Sequence, residues 1–96
     1  MNQAYTTPGV LSFVKQNNCY WFIDVIMSYQ TKRFVEENEF QVWKFLKNKT
    51  GNGCKVICED GDDNQIIIQR IPFTDCEQTE FTFWLQNNTI YLPEEH

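Results

Sequence analysis

Asp24 and Ser28 are polar residues in an otherwise apolar segment at residues 20–30, and they are the first candidates for chemistry. A spacing of four places both side chains on one side of a helix. A carboxylate held among apolar groups has a raised pKa and can act as a general acid or base. A carboxylate pair would need Asp60 or Asp75 beside Asp24, and nothing in the spacing brings them together. We expect Asp24 to be structural, hydrogen-bonded to the start of a strand or to a tryptophan indole.

The sequence offers few residues that could bind a metal or act as a nucleophile. The single histidine is His96, and no Cys-x-x-Cys pair occurs, so zinc ligands are scarce. The segment at 60–64 matches the first ligand positions of a calcium loop, but Gln65 and Ile71 stand where that loop needs glycine and a bidentate acid. We interpret the segment as a hairpin turn and the four cysteines as buried structural thiols. The sequence predicts no cofactor, no metal and no enzymatic activity.

Composition bounds the class of protein. The chain has 96 residues, eight basic and thirteen acidic, for a net charge of −5, and it contains 3 Trp, 4 Tyr and 8 Phe. This length supports one domain, 1–96, whose aromatic side chains supply a large core. The acidic balance disfavours nucleic acid as a partner. The absence of a signal peptide and of a membrane span predicts a cytoplasmic protein that binds no membrane.

The segment at 20–30 carries apolar side chains around most of a helical circumference, which is typical of a buried core helix. We predict helices at 8–16 and 19–31, with Thr7 capping the first and Asn18 the second, and a loop after residue 31. Period-two patterns and turn residues predict strands at 39–47, 54–59, 65–71, 80–86 and 89–92, the last two joined by a tight turn at Asn87-Asn88. The fold class is α+β: two N-terminal helices packed on a five-stranded antiparallel meander sheet.

Two sets of residues are candidates for an interaction surface. Trp43, Phe45 and Trp84 would form an aromatic platform if they share the sheet face away from the helices, as in protein interfaces. Stacking of bases on that platform would also need Lys44, Lys47, Lys49 and Lys55 on the same face, against the acidic total. The second set is acidic and comprises Glu36, Glu37, Glu39, Asp60, Asp62 and Asp63. Surface charge that is simply solvated is the alternative for this set.

The chain resembles an uncharacterised family of short bacterial and phage proteins, the domain of unknown function 6876. The resemblance rests on segments that read YWFIDVIMSYQ at 20–30, EFQVWK at 39–44, CEDG at 58–61 and IPFTD at 71–75, with YTTPGV at 5–10 and YLP at 91–93. Relatives usually carry a longer segment before the position equivalent to Tyr5. The resemblance implies a shared fold and a phage or mobile-element origin, and it brings no activity.

The sequence therefore favours a non-catalytic interaction module that binds a protein partner, with a homodimer as a further alternative. With a phage origin, the module would inhibit or modulate a host protein, acting through its acidic loops as a nucleic-acid mimic. The competing hypothesis is a small-molecule binder or a small carboxylate-dependent enzyme with a pocket around Asp24. A pocket that converges on Asp24 would favour the second hypothesis, and a flat exposed aromatic face would favour the first.

Overall fold

The computed structural model describes residues 5–95 and contains both helices and strands, so the predicted α+β class is confirmed. The helices are α1 (Pro8–Gln16), α2 (Trp21–Tyr29) and α3 (Arg33–Glu36), and a 3₁₀ turn occupies Pro93–Glu95. The strands are β1 (Tyr5–Thr6), β2 (Phe40–Lys47), β3 (Cys54–Glu59), β4 (Gln65–Ile71), β5 (Glu80–Gln86) and β6 (Thr89–Tyr91). The last five strands lie within one residue of the predicted ranges.

The prediction of a five-stranded antiparallel meander sheet is wrong. Six strands lie in the order β1-β6-β5-β2-β3-β4, and β1 runs parallel to β6. After β4 the chain returns to place β5 against the free edge of β2, so β2 is central. This pairing sets Phe83 opposite Trp43 and Phe81 opposite Phe45, which gathers bulky rings into one layer beneath α2. The helices are also not clearly N-terminal, because the strand β1 comes before α1 in the chain.

The helix ends follow the predicted capping chemistry in part. The amide of Val10 donates to Thr7 Oγ1 at 3.2 Å, which confirms the cap of α1. Asn18 has φ 56 and ends the turn after α1 in the left-handed region, which asparagine tolerates. The prediction that Asn18 caps α2 is wrong, since α2 begins after Tyr20 without a side-chain cap. The segment predicted as a loop after residue 31 contains α3.

The apolar side of α2 lies in the core as the sequence predicts. Phe22, Ile23 and Ile26 are buried, and the ring of Phe22 contacts those of Phe45, Phe81, Phe83 and Trp21 at centroid distances of 4.9–6.2 Å. Edge-to-face pairs of this kind stabilise a core beyond the area that they bury. The helix therefore fastens the centre of the sheet from one side.

The hairpin between β5 and β6 turns at Asn87 and Asn88, which have φ 54 and 59. Both values lie in the left-handed region, so the predicted two-residue turn with positive φ is confirmed. Within residues 5–95, no helix is long and apolar enough to cross a bilayer.

Candidate functional site

The two faces of the sheet are unequal. One face carries the core side chains of β2, β3 and β5 and packs against α1 and α2. The other face, called the outer face, carries the alternate residues of the same strands, all of them half-buried or exposed. Across it runs an aromatic row from β2 to β6, made of Phe40, Trp84 and Tyr91. The ring centroids lie 5.3 Å apart for Phe40 and Trp84 and 6.0 Å apart for Trp84 and Tyr91.

The predicted platform of Trp43, Phe45 and Trp84 does not exist as one surface. Trp43 and Phe45 are completely buried on the helix side, and only Trp84 lies on the outer face. The physical reason is register: Trp84 pairs with Val42, and Trp43 pairs with Phe83, so the two indoles point to opposite sides. The aromatic partners of Trp84 are instead Phe40 and Tyr91, which the sequence analysis did not select.

The acidic candidates are brought together by strand pairing, although they are about twenty residues apart in sequence. Glu59 pairs with Val42, so the turn that follows β3 lies beside the start of β2. A β-carbon at Gly61 would lie 2.7 Å from Cδ2 of Phe40, which shows how closely that turn approaches the aromatic row. This end of the sheet, called the acidic end, comprises Glu36, Glu37, Glu39, Asp60, Asp62 and Asp63.

The turn at the acidic end is organised by Asp60. Its Oδ1 accepts from the amides of Asp62 at 2.9 Å and Asn64 at 3.2 Å, and its Oδ2 accepts from Nδ2 of Asn64 at 3.0 Å. The amide of Asp62 and then the Asn64 side chain hold the pKa of the Asp60 carboxyl below its usual range. Asp60 is therefore a turn residue that stays ionised, as the hairpin interpretation predicts.

A pair of buried amides fixes the other half of the acidic end. Gln41 Oε1 accepts from Trp43 Nε1 and from Gln30 Nε2, both at 2.9 Å. Gln41 Nε2 donates to Gln30 Oε1 and to the carbonyls of Val35 at 3.0 Å and Asn38 at 3.2 Å. These bonds tie the segment that carries Glu36, Glu37 and Glu39 to β2. Sequence reasoning missed both glutamines, although a glutamine alternating with Trp43 and Phe45 was a visible signal.

A cleft of about 330 Å³ lies at the same end, between α3 and the turn that joins β5 to β6. Its lining is mostly amide and carboxylate, and includes Glu36, Asn38, Glu39, Asn87 and Asn88. The polar lining gives the acidic end a concave part, which Gln30 and Gln41 also line from the helix side of the sheet. No group of three histidine, cysteine or acidic side chains within residues 5–95 is arranged to hold a metal ion.

The polar pair Asp24 and Ser28 lies elsewhere, on the exposed side of α2. Ser28 Oγ donates to the carbonyl of Val25 at 2.7 Å, and the buried indole of Trp43 donates to Gln41 instead of to Asp24. The expectation that Asp24 is held by a strand or an indole is therefore wrong, because its side of the helix faces solvent. Four clefts within residues 5–95 are lined by other residues, and Asp24 lines none of these four.

The four cysteines are buried, and Cys19 and Cys54 each lie near Cys76 in the segment that joins β4 to β5. Cys19, Cys54, Cys58 and Cys76 are each at most 1% exposed. Burial raises the pKa of Cys58 and of Cys19 to about 12 and that of Cys54 to about 11, and Cys76 adds to the rise at Cys19 and at Cys54. The predicted role as structural thiols agrees with this burial.

The burial of the four thiols protects them from reagents only while the chain is folded. At pH 8 we expect Ellman's reagent to leave all four thiols unmodified in the native protein, and to titrate 4 thiols in guanidinium. Because the folded pKa values are raised, stability is intact below about pH 9 and is lost as the pH rises towards 12. Guanidinium unfolding at several pH values measures the loss. Fast reaction of any thiol in the native protein would contradict the assignment.

Comparisons with known proteins supply a family and no activity. No curated protein and no solved structure matches the chain at the significance required. One family model does match, over residues 1–96, and its description is a family of unknown function, DUF6876. Since the match spans the whole chain, the protein belongs to family DUF6876.

Proposed function

We propose that the protein is a non-catalytic binding module whose outer face, at the acidic end, binds a basic segment of a partner protein. The observation that carries the proposal is the contact between Phe40 and the acidic turn at Gly61. It joins an aromatic row to a group of carboxylates in one continuous surface. Aromatic side chains supply the contact area of interface centres, and complementary charge steers the partner and fixes its register.

The charge of this surface favours protein over nucleic acid. The acidic end carries six carboxylates, and hydrogen bonds within the turn keep Asp60 ionised. The basic residue of the outer face near them, Lys44, is already engaged, since its Nζ lies 2.9 Å from Oε1 of Glu59. Phosphate would be repelled from such a surface, and lysine or arginine side chains would be attracted.

Inhibition of a host machine by nucleic-acid mimicry is the specific form of this proposal. A protein that binds nucleic acid presents basic residues to phosphate, and the same residues would fit the acidic end. Hydrogen bonds of Asp60 order the backbone of the turn at 60–64, and those of Gln41 order the segment before β2. An ordered backbone on both sides of Phe40 supports the mimicry, because it limits the positions that the acidic side chains can take. Competition between the protein and duplex DNA for a basic partner would distinguish this form from simple binding.

The test is a titration of the full chain with an arginine- and lysine-rich peptide, followed by tryptophan fluorescence. We expect saturable binding that weakens with salt, because exposed charges are screened. The double variant Asp62→Lys/Asp63→Lys should bind at least tenfold more weakly, or about 1.4 kcal/mol. Asp75→Lys, an exposed acid in the β4–β5 connection at the other end of the sheet, makes a smaller change of the same type and should stay within about twofold.

The aromatic row is tested separately, so that a purely electrostatic attraction is detected. Phe40→Ser should weaken peptide binding by about tenfold, since it removes the ring beside Gly61. Phe34→Ser is the matched control, because Phe34 is exposed on α3 and lies outside the row. Equal binding by the two serine variants, or by the two lysine variants, would overturn the proposal. Circular dichroism verifies that each variant is folded.

A further inference from the structure

Strand β4 forms one edge of the sheet. The opposite edge strand, β1, has two residues and leads through Thr7 into Pro8, so it offers little backbone for pairing. By contrast β4 has seven residues, Gln65–Ile71, of which four are isoleucine, and it contains no proline or lysine. Long apolar edge strands without such protection are templates for pairing with another strand.

Half of the hydrogen-bonding capacity of β4 is directed away from the sheet. Alternate residues of an edge strand point their N–H and C=O groups outward. Within residues 5–95, β3 is the only strand paired with β4, and no backbone hydrogen bond joins Gln65–Ile71 to an element on its other side. The outward groups are therefore available to a strand from outside the chain.

Apolar side chains are exposed along the same edge. Ile68, the fourth of the seven residues of β4, is 41% exposed, and Phe73, just after the strand, is 60% exposed. The register irregularity between β3 and β4 falls near Glu59 and Gln65, outside the residues on either side of Ile68. The irregularity skips Ile66, since Cys58 pairs with Ile67 and Glu59 with Gln65, so the edge is regular over residues 67–71 and carries the exposed Ile68 within that part.

The charges along this edge favour an antiparallel arrangement. Lys55 and Arg70 are direct cross-strand partners, and like charges in that position repel each other. They lie at one end of the β3–β4 hairpin, and the turn with Asp60, Asp62 and Asp63 lies at the other. An antiparallel neighbour of the same sequence would bring its acidic turn towards Arg70 and Lys55. A parallel neighbour would instead set like charges side by side.

We propose that β4 pairs antiparallel with β4 of a second copy of the chain, about a two-fold axis at Ile68. The pairing sets Ile68 against Ile68, Ile67 against Gln69 and Ile66 against Arg70, so that no like charges face each other. Two six-stranded sheets then become one sheet of 12 strands. A strand that is complementary to itself about its own central residue fits an isologous dimer better than an unrelated peptide. The inference does not rest on the proposed function: both involve the turn with Asp60, Asp62 and Asp63, but Ile68, which the experiment changes, belongs to β4 alone.

The experiment is sedimentation equilibrium of the full chain at about 1–100 µM, a range that determines the dissociation constant of a micromolar dimer and of one tenfold weaker. We expect a dimer for the natural chain. Ile68→Lys and Ile68→Glu place like charges against each other on the axis, and each should raise the dimer dissociation constant at least tenfold. An equimolar mixture of the two variants should dimerise again, because lysine then faces glutamate.

The control is Phe34→Lys, which changes a somewhat more exposed apolar residue on α3, 53% against 41% for Ile68, and should leave the dimer intact. Circular dichroism and thermal unfolding verify that the Ile68 variants keep the fold, as expected for an exposed position. A monomeric natural chain, a dimer that survives both Ile68 variants, or a mixture that stays monomeric would each overturn the proposal. If β4 instead pairs with a strand of an unrelated protein, the natural chain alone would be monomeric.

Discussion

Phe22→Ala is expected to lower the free energy of unfolding by about 3–5 kcal/mol. Phe22 is completely buried, and its ring contacts four other aromatic rings from α2, β2 and β5. The truncation removes apolar contacts and leaves a cavity that neighbouring rings fill only in part. Urea unfolding followed by circular dichroism measures the change. Because domains are stable by only about 5–15 kcal/mol, the variant should be close to its limit of folding.

The matched control for this prediction is Phe34→Ala. Phe34 is 53% exposed on α3, so the same change of residue should cost less than about 0.5 kcal/mol. A loss below about 1.5 kcal/mol for Phe22→Ala would mean that α2 does not fasten the sheet as the ring contacts indicate.

Gln41→Leu is expected to cost about 3 kcal/mol, although leucine is similar in size and more apolar. The change leaves the indole N–H of Trp43 and Oε1 of Gln30 without the Gln41 partner that each has in the fold. The carbonyl of Val35 keeps the amide of Asn38, and Nε2 of Gln30 keeps the carbonyl of Ile26. A buried polar group without a partner costs about 1–3 kcal/mol, and relaxation of the site reduces the sum. Urea unfolding again provides the measurement.

Two further variants separate hydrogen bonding from packing at this site. Gln16→Leu makes the same replacement at an exposed position of α1 and should be nearly neutral. Gln30→Leu/Gln41→Leu removes both amides and should be more stable than the sum of the single losses predicts, because the pair satisfies itself. Strict additivity of the two losses would contradict the reciprocal network.

The local structure was predictable because it depends on local chemistry. The polar turn at Asn87 and Asn88 and the cap at Thr7 follow from residue types at adjacent positions. The period-two segments give the strands directly, since alternation does not depend on which strand is the neighbour. The two-residue β1 has no period of its own, and it exists only because β6 pairs with it.

The strand order and the site were less predictable, since both depend on pairing between distant segments. Nothing within β5 indicates that it joins β2 in preference to β4. Without that register, Trp43 and Trp84 could not be assigned to opposite faces, and the platform was predicted from the wrong residues. The acidic residues were selected as loop residues, but Glu36 lies in α3 and Asp60 is half-buried. The approach of the turn at Gly61 to Phe40 could not be foreseen without the pairing of β2 with β3.

The central position of β2 has a consequence for the order in which the protein is made. Synthesis delivers β2, β3 and β4 before β5, and these three strands can pair as soon as they leave the ribosome. The other edge of β2 must wait until residues 80–86 emerge, so the nascent chain presents both Trp43 and an unpaired strand edge during that interval. A pause in translation before β5 would prolong this state and would make aggregation during synthesis more frequent.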